Sequence, residues 1–137
     1  MPRFTNGRVA GRELDRAESV VSQSGISAVT DVTGLAITFT PERAGVWVEA
    51  FCPQLQQQTS TGVVTVSITD AANVTQEKIA AVTLPVGFWG PASGKVPLTL
   101  TPGTEYTFKV RATTSAGTLV VWGGAGLVNW IRAVEAA

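Results

Sequence analysis

Residues 45–52, Gly-Val-Trp-Val-Glu-Ala-Phe-Cys, leave a chain like this few ways to fold. They follow the turn-forming run Thr40-Pro41-Glu42-Arg43-Ala44 and are rich in β-branched and aromatic residues, which reads as a β-strand. Its two faces are Val46, Val48, Ala50, Cys52 and Trp47, Glu49, Phe51. A strand with one wet face alternates apolar and polar residues, yet Glu49 alone is polar here. The strand is therefore expected to be covered on both sides. Residues 118–122 and 127–134 break the alternation in the same way, with Val128, Trp130 and Val134 opposed to Leu127, Ile131 and Ala133. All three are expected to be central strands.

The rest of the chain after residue 25 keeps a period of two. Leu35, Ile37 and Phe39 alternate with Ala36, Thr38 and Thr40. The same holds for Val64, Val66 and Ile68, for Val96, Leu98 and Leu100, and for Tyr106, Phe108, Val110 and Ala112. Each reads as a half-buried strand with a threonine-rich outer face. Pro97 cannot donate to a ladder, which places its strand at an edge. Further strands are expected near 26–30 and 78–84. Eight or nine strands at about ten-residue spacing indicate an all-β fold, an antiparallel jelly-roll-like β-sandwich over residues 23–137. Two turns echo each other, Thr38-Phe39-Thr40-Pro41 and Thr99-Leu100-Thr101-Pro102, each with Pro presetting the bend.

Residues 1–22 read differently. Leu14, Ala17 and Val21 recur at three- and four-residue spacing, while Arg12, Asp15, Arg16 and Glu18 face away. This predicts a short amphipathic helix over 11–21, about 16 Å long, in an N-terminal arm joined to the sandwich by Ser22-Gln23-Ser24-Gly25. The arm carries Arg3, Phe4, Arg8, Arg12, Leu14, Arg16 and Val21 as candidate partner contacts. Apolar anchors would dock on a neighbour and the arginines would meet its carboxylates.

The chemistry available is narrow. The 137 residues contain no histidine, which removes Ser-His and Cys-His nucleophiles and histidine metal sites. The acidic residues are too scattered for a carboxylate pair or a calcium loop. Catalysis, cofactors and metals are not expected. Net charge is zero and only 15% of residues are charged, so no basic field suggests nucleic acid or an anionic membrane. Cys52 is the single cysteine and reads as a small core residue. No apolar run is long enough to span a bilayer. The N-terminus lacks the apolar core of a signal peptide, so a cytoplasmic origin is expected. On that ground the sequon Asn73-Val74-Thr75 reads as coincidental.

Three loops stand out. Gly123-Gly124-Ala125-Gly126 lies between strands and reads as a hairpin rather than a phosphate loop. Gln54 to Gly62 reads as a polar loop. Pro85-Val86-Gly87-Phe88-Trp89-Gly90-Pro91 is expected to fold Trp89 over the end of the sandwich. Its alternative role is a platform of Phe88 and Trp89 for a sugar ring or a partner. The outer face of the apolar strands, with Trp47, Phe51, Trp122 and Trp130, is the candidate subunit interface. Such a patch is too large to leave open on a typical monomer.

The opening Pro2-Arg3-Phe4-Thr5-Asn6-Gly7, the run Leu35–Pro41, Ala44-Gly45-Val46-Trp47-Val48, Tyr106–Ala112 and the closing Ala133-Val134-Glu135 together resemble small tailed-bacteriophage virion proteins. These are head-decoration, head-fibre and minor-tail proteins with a jelly-roll domain. The resemblance implies a non-enzymatic structural role on the particle exterior, usually as a homotrimer. The implied partners are copies of the chain itself and a major capsid or other virion protein. The alternative function is a tail or fibre module that binds a host-surface glycan through exposed aromatics.

Overall fold

A computed structural model describes residues 11–136. They form ten strands and no helix: β1 (Arg12–Ser19), β2 (Gln23–Ile26), β3 (Thr30–Phe39), β4 (Gly45–Gln57), β5 (Gly62–Asp70), β6 (Thr75–Leu84), β7 (Trp89–Thr99), β8 (Tyr106–Thr114), β9 (Leu119–Val121) and β10 (Asn129–Glu135). One sheet runs β1-β10-β4-β9-β2, with β7 on the other side of β4. The second runs β3-β8-β5-β6. β10 covers residues 46–51 of β4 and β9 covers residues 55–57, on the side away from β7. β1 pairs with β10 and β2 with β9. Taken as two interrupted strands, β1/β2 and β9/β10 reduce the first sheet to four positions. Two four-stranded antiparallel layers in this order make a jelly-roll sandwich.

The apolar strands are central, as their composition requires. Val46, Val48, Ala50 and Cys52 face the core, with Ile131 and Ala133 beside them and Leu35, Ile37, Val66, Ile68 and Val110 from the other sheet. Burial pushes the Cys52 thiol up to about 12, which leaves it an inert packing group. Among the described residues β7 pairs only with β4, so Pro97 sits on an edge strand and withholds no ladder donor from a second neighbour. The two Pro turns meet at one end, where the Gly103 amide donates to the Pro41 carbonyl at 2.9 Å. The sheets bury Phe39 and Phe108, whose rings stack at 5.9 Å.

The predicted helix is a strand. β1 carries a bulge in which Glu13 and Asp15 stand opposite the consecutive residues Val134 and Ala133. The extra residue lets Leu14 and Ala17, three apart, both pack against the core. A bulged strand thus imitates helical spacing. The predicted linker is also structure: Gln23 opens β2, its side-chain amide donates to the Asp31 carbonyl and its Oε1 accepts from the Thr33 amide. An arm separate from the sandwich therefore does not include residues 12–26. Arg3, Phe4 and Arg8 lie outside the described residues. Gln54–Gln57, read as loop, continues β4. Gln57 is fully buried because its Nε2 reaches the carbonyls of Ser60 and Ala116, both at 2.9 Å.

Glu135 closes the sandwich. It accepts from the amides of Glu42 at 2.6 Å and Arg43 at 2.9 Å, and from the Arg12 guanidinium at 3.2 Å. Burial pushes its carboxyl up, but the Arg43 and Glu42 amides and Arg12 outweigh this and hold it below its ordinary value. One carboxylate thereby ties β1, β10 and the turn before β4.

Candidate functional site

The outer face of the first sheet is built by register. Trp47 of β4 lies between Val134 of β10 and Pro97 of β7. Two residues on, Glu49 lies between Arg132 and Lys95, and then Phe51 between Trp130 and Ser93. β1 adds Arg16 opposite Arg132 and Glu18 opposite Trp130. After the irregularity that follows Cys52, Gln56 lies between Val120 and Trp89 on the same face. Trp122 joins them, its Nε1 donating to the outward Gln56 Oε1 at 2.7 Å. All four tryptophans of the chain thus stand on one side of one sheet. From Trp89 to Pro97, beside Trp47, the strand rises about 26 Å.

The carboxylates and guanidiniums on this face are paired among themselves, while Lys95 lies over Trp47 without a carboxylate partner within 4.0 Å among the described residues. Arg132 meets Glu49 at 2.7 Å and Glu13 at 3.6 Å, while Arg16 meets Glu13 at 3.0 Å and Glu18 at 3.3 Å. The Arg16 hydrogen bond, helped by the charges of Arg16 and Arg132, holds the Glu13 carboxyl below its ordinary value. The guanidiniums of Arg16 and Arg132 each lie 5.5 Å from the Trp130 ring centre, and Lys95 Nζ lies 5.1 Å from that of Trp47. Phe51 and Trp130 pack at 6.2 Å, tilted by 49°. The face is aromatic, internally neutralised and only half covered, with Trp47 still 39% exposed.

Phe88 and Trp89 close the far end. Pro85 accepts from the Phe88 amide at 3.0 Å, and Gly87 takes φ 80°, a conformation glycine adopts without strain. The turn is pinned to β4: the Gly87 amide donates to the Gln57 carbonyl, and Gln56 Nε2 donates to the Gly87 carbonyl, both at 2.8 Å. Phe88 and Trp89 are left 65% and 62% exposed. The expectation that Trp89 folds over the sandwich is overturned, because the pinned turn holds its ring on the outer sheet face.

The four candidate interface aromatics lie on one face, but Trp122 is set apart from the Trp47–Phe51–Trp130 group. It is fixed by Gln56 and by Asn129, whose Nδ2 donates to the Trp122 carbonyl at 3.0 Å. Among the arm candidates, Arg16 belongs to this face. Arg12 binds Glu135, Leu14 packs inward, and Val21 is 69% exposed between β1 and β2. Glu49, Lys95, Arg132 and Gln56 escaped sequence reasoning. Their signal was their placement two residues, or one strand, away from a tryptophan, visible only once the register is known.

No protein-family model matches this sequence, and no curated protein matches it. Solved structures align with most of the chain. The VP2 subviral particle of infectious bursal disease virus aligns at a TM-score of 0.50 and 10% identity, over 93% of this chain and 38% of the VP2 chain. The tripod from the baseplate of bacteriophage Tuc2009 aligns at 0.46 and 20% identity, over 85% of this chain and 64% of that one. A carbohydrate-binding module from Cellvibrio mixtus lichenase 5A, in complex with cellotriose, aligns at 0.39 and 12% identity, over 91% and 99%. Identities this low speak to architecture alone.

Proposed function

We propose that this chain is a non-enzymatic structural virion protein, a head-decoration protein that binds the outside of a phage capsid as a trimer. The observation that carries this reading is the gathering of all four tryptophans on one sheet face with Arg16 and Arg132 already paired to carboxylates. Tryptophan and arginine are enriched in protein interfaces and dominate their energetics. Arginines that enter an interface already paired with carboxylates are not left as lone ions to desolvate, and Lys95 lies over the Trp47 ring. Closed cyclic symmetry buries such a face without making filaments. The fold shared with the VP2 subviral particle and the resemblance to phage virion proteins support the same reading. Light scattering on the purified chain should give three times its mass. Co-sedimentation with capsids lacking it should recover it in the pellet, and a monomer that stays in the supernatant overturns the proposal.

A second reading, a tail or fibre module that binds a host-surface glycan, is favoured by the exposure of Phe88 and Trp89 on a pinned turn. A rigid aromatic pair can stack on a sugar ring at little entropic cost. Glycan binding by the isolated chain, with no affinity for capsids, is the outcome that selects it.

A further inference from the structure

The outer face of the second sheet holds a recess of about 350 Å³, a size ordinary for small-ligand sites. Its floor is β5. Ser67 lies directly opposite Arg111 of β8 on one side and Lys78 of β6 on the other. Two strand spacings separate the cationic positions, roughly 10 Å, with a hydroxyl between them. Thr69 is opposite Thr75 and Thr65 opposite Thr113, and these extend the lining with hydroxyls.

One wall is the turn between β5 and β6. Asp70 Oδ1 accepts from the amides of Ala72 and Val74, both at 2.9 Å, and Asn73 takes φ 67° at the rim. The turn is therefore held in place rather than draped over the recess.

The charge differs from that of the tryptophan face. Asp31 serves two cations, Lys109 at 3.0 Å and Arg111 at 2.7 Å, through Nε of the arginine. The Lys109 hydrogen bond, with that from Arg111, holds the Asp31 carboxyl low. Lys78 has no carboxylate partner within 4.0 Å among the described residues, and no acidic residue lines the recess. Thr69 is 2% exposed, and its hydroxyl has no hydrogen-bond partner among the described residues. A buried hydroxyl in that state is costly until something supplies a partner.

We propose that this recess binds an acidic monosaccharide unit, with its carboxylate over Ser67 between Arg111 and Lys78 and its hydroxyls against Thr65, Asn73 and Thr113. The recess is several times larger than a bare oxyanion requires, and its remaining lining joins hydroxyls and an amide to the apolar Val29 and Ala112, a mixture that suits a sugar ring. This site is on the opposite layer from the tryptophans and does not rest on the assembly reading.

The test is a backbone amide NMR titration of the full chain with glucuronic acid, glucose and inorganic sulfate in parallel. Glucuronic acid should give saturable shifts at Ser67, Thr69, Asn73 and Arg111. Lys78→Ala, a change at an exposed edge-strand position, should weaken that binding about tenfold, in line with losing one charge-assisted hydrogen bond. Equal binding of glucose would show that the cations play no part and overturn the proposal. Sulfate binding as tightly as glucuronic acid would reduce the site to a bare anion site and overturn the sugar assignment. Absence of shifts at these amides, or an unchanged affinity in Lys78→Ala, would also refute it.

Discussion

Trp47→Ala tests the assembly face most directly. Its ring is 39% exposed in the single chain. For a tryptophan of roughly 250 Å², that leaves about 100 Å² available for burial. At about 25 cal/mol per Å², full burial contributes about 2.5 kcal/mol per subunit. Three copies in a cyclic trimer sum to about 7 kcal/mol, near five orders of magnitude in the assembly constant. That constant scales with the square of concentration, so the dissociation midpoint should rise by two to three orders of magnitude. The fold should persist, because Val46 and Val48 on either side keep their core contacts. Light scattering across a dilution series reads the midpoint, and circular dichroism reads the fold. A wild-type chain that is monomeric at micromolar concentration refutes the reasoning. So does a Trp47→Ala variant that dissociates at the wild-type midpoint.

The remaining predictions concern other parts of the molecule. Glu135 has a folded-state pKa below its ordinary 4.5. Its contribution to stability is therefore present above about pH 4.5 and lost as pH falls through the lower folded value. Glu135→Gln should melt below wild type at neutral pH, and the gap should narrow on acidification below that point. A gap constant from neutral to strongly acid pH would contradict the assignment. Trp89→Ala should leave the melting temperature within a degree or two of wild type, since its ring is mostly solvated, and should abolish any glycan binding seen by tryptophan fluorescence. A large fall in melting temperature would mean that the ring packs after all. Deleting residues 2–21 removes β1 and strips β10 of one of its two partners. That chain should lose cooperative unfolding and bind a hydrophobic dye, whereas a deletion of residues 2–10 leaves every described strand in place; a cooperative melt in the longer deletion would count against β1.

Much of the architecture was legible because pleating is a local property. Alternation along 35–40, 64–69 and 106–112 reports a half-buried strand wherever that strand finally lies. The doubly apolar segments read as central, and β4 does pair with both β9 and β10. β1 was misread because a bulge shifts the period locally, and nothing in Glu13-Leu14-Asp15 announces it. Gln54–Gln57 was misread because glutamine is polar, although the Gln57 Nε2 donates to carbonyls at Ser60 and Ala116, the latter 59 positions away.

The candidate site divides along the same line. Composition and period alone determined an all-β sandwich, an edge strand at Pro97, a buried Cys52 and a chain without histidine chemistry. Only the tertiary structure decided that Trp47, Trp89, Trp122 and Trp130 share a face, that Glu135 closes on Arg12 across 123 positions, and that Ser67 lies between Arg111 and Lys78. Side-chain direction follows from the backbone one residue at a time, whereas neighbourhood follows from strand register. Register is settled by all the pairings of both sheets together, and no window of sequence contains them.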